Sequence, residues 1–402
     1  MERLISLLGL ISFLGFAYLI SYQRLAIRWN TIAWGLGLQF TLAIFILKTS
    51  FGLAVFEWLG TIVKTFLDYS DVGAEFVFGE SFAEHFIAFK VLPTIIFFAS
   101  FIAILYHYRI LPRIVGTISW IMMRTMKTSG AETLSCASNI FVGCTEAPLM
   151  IKPYIKSLTI SELHAIMTGG FATIAGGLMA AYISMGISAT HLISASVMSA
   201  PVALVISKIM CPETDKSETK DQVITEVESP YTNAIDAATN GALDGLKLAL
   251  NVGAMLIAIL GLVALVNGVL EIIGQSIGLA NLSLEVIFSY LLAPVAWLMG
   301  IPWEDCLQVG ILLGKKTILN EFIAYLDLKT LMEGNIISQR SQIIATYALC
   351  GFSNLGTIGI QIGGIAAIAP NRQPDLAKLG LRTMIAGSLA CFMTACIAGL
   401  LL

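Results

Sequence analysis

Two carboxylates stand where carboxylates are costly. Glu146 lies within ETLSCASNIFVGCTEAPLMIKPYI (132–155) and Glu321 within KTILNEFIAY (316–325), both in apolar surroundings. An ionisable side chain in such a setting is a functional candidate by default. The plain structural alternative is an ion pair, Glu146 with Lys152 or Glu321 with Lys316. Each carboxylate follows a polar residue, Thr145 or Asn320, and each precedes a polar, glycine-rich break, at Phe171–Gly177 and at Phe352–Gly359. Backbone freed at such breaks, together with amides and hydroxyls, can hold ions and polar substrates. Nucleophilic catalysis fits less well. Cys144 sits near Glu146, but a nucleophilic thiol needs a base partner. The four histidines, His85, His107, His164 and His191, are distant in sequence, and only His164 could come near by folding. Neither an HExxH nor a GxSxG run is present.

The elements that carry these groups belong to a membrane. Hydrophobic residues make up 57% of the 402 and charged residues only 12%, against about 25% charged in a soluble domain. The net charge of −3 offers no basic face for nucleic acid. None of the seven cysteines forms a CxxC pair, so they read as small buried hydrophobes. A membrane helix needs about 20 apolar residues, and eight stretches qualify: 4–22, 31–59, 92–108, 160–184, 192–210, 246–270, 342–367 and 379–402. Residues 110–126, 132–155 and 284–328 are apolar but interrupted. The first stretch is read as a retained helix, because Arg24 and Arg28 follow it rather than a cleavage site. Basic loops after the first and third spans and before the last assign those loops to the cytoplasm, with both termini outside. Charged residues 211–231 read as a flexible cytoplasmic linker.

The two halves share an order of motifs. Trp120, then Thr145-Glu146, then Gly170-Phe171 is matched by Trp297, then Asn320-Glu321, then Gly351-Phe352. Three crossings per half make the second copy upside down, the pattern of secondary transporters with a site between the repeats. The predicted fold is therefore an all-α polytopic membrane protein of eight spans plus two re-entrant helical hairpins. Its parts are scaffold helices (1–91), a first repeat (92–210) with a hairpin at 130–157, the linker, and a second repeat (232–402) with a hairpin at 303–328. Hairpins resolve the polar centres, because backbone interrupted by Gly143 and Pro148 cannot face lipid but can line a protein cavity.

NIFVGCTEAPL (139–149), GFATIAGG (170–177), KTILNEFIAY (316–325) and CGFSNL (350–355) resemble, in this order, the hairpins and broken helices of the concentrative nucleoside transporters. The similarity covers essentially the whole chain in its short bacterial form. It implies a homotrimer among membrane lipids in the bacterial plasma membrane, with a fixed scaffold and a transport part that moves as an elevator. It implies that the base of a nucleoside faces Cys144, Thr145 and Glu146, and that the ribose faces Glu321, Asn354 and Thr357, with Phe352 beside them. Sodium, as co-transported ion rather than catalytic cofactor, would be held by Asn139, Val142, Thr173 and Ile174. Hard cations take oxygen ligands, and this full set favours sodium over protons.

Two positions depart from the family pattern. Cys144 stands where Gln is usual, which removes an amide able to read a base edge and leaves room for a bulkier or modified base. Thr357 replaces Ser and adds a methyl group beside the sugar. A channel would need a continuous pore, which paired hairpins do not suggest. The nearer alternative is the same fold carrying another ribosylated metabolite.

Overall fold

The computed structural model describes residues 1–220, 222, 231–279 and 282–402. Its described residues form helices and contain no strand. Eight helices are long and apolar enough to cross a membrane, or nine if one bent pair counts as a single span.

Three helices precede the repeats: α1 (Glu2–Leu19), α2 (Trp29–Lys48) and α3 (Ser50–Phe78). The expected single span 31–59 is two helices. Thr49 is extended and its hydroxyl accepts from Gly52 N at 3.0 Å, so it caps a new helix where hydropathy shows no interruption.

Two series of like elements follow. The first is α4 (Leu92–His107), α5 (Ile110–Met126), a hairpin opened by α6 (Gly130–Ser138), a helix broken into α7 (Ile160–Ala172) and α8 (Gly176–Ser184), and α9 (Ala189–Met210). The second is α10 (Ala234–Ser276), α11 (Leu284–Leu298), a hairpin of α12 (Trp303–Ile318) and α13 (Glu321–Glu333), a helix broken into α14 (Gln339–Leu349) and α15 (Leu355–Ile368), and α16 (Gln373–Leu401). The first helices of the two series pack together through small residues. A Cβ on Gly241 or Gly245 of α10 would lie 2.6–2.8 Å from Ala99, Ser100 and Ala103 of α4, the close approach that small residues permit between membrane helices.

The hairpins differ in regularity. In the second, α12 and α13 meet at Leu319–Asn320, and the return limb runs to Glu333 rather than stopping at 328. In the first, the return limb is only short 3-10 turns (Ala147–Ile151 and Ile155–Ser157). Pro148 and Pro153 explain this, since each removes a donor and opposes the α-helical ladder. Ser138 Oγ donates to Met150 Sδ at 2.7 Å across the two limbs.

The base of the first hairpin is held by a buried charged network. Lys208 at the end of α9 lies 2.5 Å from Glu132 Oε2 and 3.7 Å from Glu213, and it donates to Ser161 Oγ at 2.8 Å. Residues 211–220, read from sequence as the start of a flexible linker, are docked. Ser217 Oγ donates to Glu162 Oε1 at 2.6 Å, and Thr219 O accepts from Gly130 N at 3.0 Å. Residues 221 and 223–230 of that expected linker lie outside the described residues. On the other side of the hairpin, Arg372 Nη1 donates to Leu158 O at 2.6 Å and to Lys156 O at 3.1 Å.

Removing one partner of a buried pair strands the other charge, at about 3–5 kcal/mol. Lys208→Met is therefore expected to lower the melting temperature in detergent sharply, and Lys208→Met with Glu132→Gln to recover much of the loss. Equal melting of Lys208→Met and the parent would show that the pair holds nothing together.

Candidate substrate and ion site

The two broken helices are interrupted because their sequences cap and restart there. Ala172 ends α7 and Thr173 is extended. Leu349 ends α14, and Asn354 caps α15 by accepting from Thr357 N at 2.9 Å. The second break is thus Cys350–Asn354, earlier than the expected Phe352–Gly359, because Gly356 and Gly359 are absorbed into α15 once Asn354 caps it. The breaks meet. Phe352 N donates to Thr173 O at 3.2 Å, and Ser353 Oγ to Phe171 O at 2.8 Å.

Glu321 begins α13 at the tip of the second hairpin, just after the capping residue Asn320. It is 3% exposed, and its oxygens have two partners: Tyr182 donates to Oε1 at 2.9 Å and Asn354 Nδ2 to Oε2 at 3.2 Å. Asn354 Oδ1 also accepts from Thr357 Oγ1 at 3.0 Å. Glu321, Asn354 and Thr357 therefore form one cluster, with Tyr182 from the other series. A carboxylate has about four lone-pair sites, so acceptor capacity remains for a ligand's hydroxyls. The ion-pair alternatives are not realised among the described residues. Lys316 is buried with its ammonium on Ala348 O at 2.8 Å, and Lys152 is exposed.

The tip of the first hairpin is placed against α7 and α15. A Cβ on Gly170 would lie 2.7 Å from Cys144 Cβ, and one on Gly364 would lie 3.0 Å from Thr145 Cγ2. Glu146 turns back over Gly143, where a Cβ would come within 2.3 Å of its Oε2. Its carboxylate faces a cavity of about 220 Å³ lined by Val142, Gly143, Ala175, Tyr231 and Asp244. Glu321 does not line that cavity. The two carboxylates thus occupy different settings, one enclosed in a hydrogen-bonded cluster and one on a cavity wall.

Asn139, Thr173 and Ile174 are all buried. Asn139 Nδ2 donates to Ser135 O at 3.0 Å, while its Oδ1 is buried without a partner, as is the hydroxyl of Ser135. Thr173 Oγ1 donates to Gly169 O at 2.9 Å, and a Cβ on Gly169 would lie 3.4 Å from Asn139 Nδ2. The amide and the hydroxyl thus flank one residue of α7. Val142, half-buried, lies just before the tip, and the preceding carbonyl, Phe141 O, accepts from Gly176 N at 3.2 Å. Orphaned buried oxygens are costly, and a small cation removes that cost, so the donor set fits a hard ion.

His164 does not serve Cys144. Its Nδ1 is bonded to Ser207 Oγ at 2.8 Å.

Known proteins resemble this chain in both sequence and fold. Residues 191–399 match the C-terminal part of the Na+ dependent nucleoside transporter, residues 8–81 its N-terminal part, and residues 88–189 the Gate, or nucleoside recognition, domain. The chain belongs to the Na+ dependent nucleoside transporter family. Solute carrier family 28 member 3 of Mus musculus is 44% identical across the whole chain, and sodium/nucleoside cotransporter 1 of Homo sapiens is 42% identical. The chain spans 59% and 64% of those two relatives' lengths, respectively. CNTnw, solved in an inward-facing substrate-bound state, superposes with a TM-score of 0.94 at 37% identity, covering all of this chain and 98% of that one. Substituted variants of CNTnw have been solved in outward-facing and intermediate states. These relatives are transporters rather than enzymes.

Within this member of the family, three contributors were not singled out in the sequence: Tyr182, Ser353 and Gln361. Gln361 is buried at 1% exposure on the same face of α15 as Thr357. Its spacing of four from Thr357 was a usable signal. Tyr182 gave none, being one aromatic residue in an apolar helix.

The orphaned Asn139 oxygen predicts an ion response without substrate. Sodium chloride is expected to raise the melting temperature above that in choline chloride of equal ionic strength. Thr173→Ala is expected to shift the half-effective sodium concentration upward, and an unchanged titration would move the ion elsewhere.

Proposed function

We propose that this chain imports nucleosides into the cell in symport with sodium. The observation that carries the reading is the Glu321 cluster. A carboxylate positioned by Tyr182 and Asn354, beside the hydroxyl of Thr357, offers charge-assisted acceptors to the vicinal hydroxyls of a ribose. Cys144, Thr145 and Glu146 then face the base, with Phe352 beside the sugar. Sodium is held by the side chain of Asn139, the carbonyls of Val142 and Ile174, and Thr173.

Coupling follows from the contact between the breaks. Thr173 belongs to the ion set, and its carbonyl accepts from Phe352, two residues before Asn354. An ion that settles Thr173 thereby settles the backbone that presents Asn354 to the sugar. Binding that orders one site lowers the ordering cost at the other, which is positive cooperativity.

The hairpins and broken helices would travel together as the transport part, against a scaffold built from the N-terminal helices and the α4–α10 pair. The first repeat, 92–210, and the second, 232–402, would be inverted relative to one another, with the site between them. We assign the working form as a homotrimer in a bacterial plasma membrane, both termini outside.

Uptake of tritiated uridine and adenosine into proteoliposomes tests the reading directly. An inward sodium gradient is expected to stimulate uptake of at least one of them. Glu321→Gln is expected to abolish uptake while the melting profile stays near that of the parent. Near-parental uptake by Glu321→Gln would remove the carboxylate from the sugar site, and uptake driven only by a proton gradient would replace sodium as the coupling ion.

A further inference from the structure

The buried face of α15 carries more than the sugar cluster. From its cap the helix presents Asn354, Thr357, Gln361 and Gly364, spaced three, four and three apart, which places them along one side. Thr357 and Gln361 are both buried. The lower end of this stripe, Asn354 and Thr357, is bonded into the Glu321 cluster. The upper end meets the first hairpin. Gln361 Nε2 and Cys144 Cβ lie 3.0 and 2.7 Å from the same point, where a Cβ on Gly170 would sit, and Gly364 abuts Thr145. Four residues of α-helix rise about 6 Å, so Gln361 stands one helical turn beyond the group that holds the sugar.

Its amide is underused. Nε2 donates to Met167 O at 3.3 Å, a long bond. That bond engages one of the amide's two N–H groups and neither lone pair of its carbonyl oxygen. A buried carboxamide with a donor and an acceptor to spare is a group suited to pairing a base edge that presents an acceptor beside a donor. Cys144, its neighbour across Gly170, is a poor hydrogen bonder.

We infer that Gln361 reads one edge of the nucleobase in this transporter, beside Thr145 and Glu146, supplying from α15 the amide that the first hairpin lacks at Cys144. This rests on the nucleoside reading above. It assigns base selectivity to the second series of elements, the same helix whose first turn holds the sugar.

Adenosine, purine riboside and 2′-deoxyadenosine separate the roles in competition uptake. Purine riboside lacks the exocyclic amino group, and 2′-deoxyadenosine lacks a sugar hydroxyl. The parent is expected to prefer adenosine to both. Gln361→Leu is expected to erase most of the preference over purine riboside, a change of about ten-fold for one lost hydrogen bond, while keeping the preference over the deoxy form. Cys144→Gln in the Gln361→Leu background is expected to restore base ranking, because the two side chains reach the same point. Gln361→Met, unbranched and of similar length, serves if the leucine variant does not fold. A parental ranking of bases in Gln361→Leu or Gln361→Met, or an equal loss for all three ligands, overturns the assignment. A parent protein that takes up uridine but none of the three overturns this inference alone, and one that takes up neither uridine nor any of the three overturns the nucleoside reading with it.

Discussion

The contact between the two helix breaks is the constraint on which the remaining architecture depends. Interrupting a helix inside a membrane releases carbonyls and amides that lipid cannot satisfy. Here the released groups satisfy one another. Phe352 N reaches Thr173 O, Ser353 Oγ reaches Phe171 O, and Cys391 Sγ lies 3.3 Å from Cys350 O. Neither break is tolerable alone, so the two series of elements are obliged to lie face to face at this point. The hairpin tips pack beside the paired breaks, Cys144 against Gly170 of α7 and Glu321 bonded to Asn354.

Such an arrangement also explains how a carboxylate is kept inside it. Burying Glu321 in apolar surroundings would be prohibitive without donors, and its donors come from both series, Tyr182 from α8 and Asn354 from the second break. Asn354 holds three relations at once: it caps α15, accepts from the Thr357 hydroxyl and donates to Glu321. Its side chain is consequently fixed before any ligand arrives, which limits the conformational entropy that a ligand must overcome.

Much of this was legible in the sequence, because membrane helices and re-entrant hairpins leave different residue patterns. The hairpins showed as polar centres in apolar runs, and the breaks as Gly-Phe followed by polar residues. What escaped had local causes invisible to hydropathy. Thr49 divides one apolar stretch into two helices by capping, with no charge to announce it. Residues 110–126 carry Pro112, Arg113 and Arg124, which interrupt the apolar run, yet they form α5, with Pro112 in the first turn where its missing N–H costs nothing. Residues 211–220 are charged enough to read as free chain, but Ser217 and Thr219 find partners at the N-termini of two helices. Among the site residues, Glu321, Asn354 and Thr357, grouped in the sequence only by the family resemblance, lie in one hydrogen-bonded cluster. The separate setting of Glu146 did not follow from composition, since both carboxylates occur in similar runs.

The length of α10 has a consequence of its own. Its glycines Gly241 and Gly245 share a cavity wall with Glu146, so that part of the helix is level with the first hairpin's tip. Beyond Gly245 it continues unbroken to Ser276, a rise of about 45 Å at 1.5 Å per residue. Half of a hydrocarbon slab is only about 15 Å. A tip placed at mid-depth, as the re-entrant reading has it, leaves the rest of α10 too long to stand upright within the bilayer. It must recline, and the angle at which it reclines is set partly by how thick the surrounding lipid is. The bilayer's thickness thereby becomes a lever on the α4–α10 seam, and through it on the cavity that Glu146 faces.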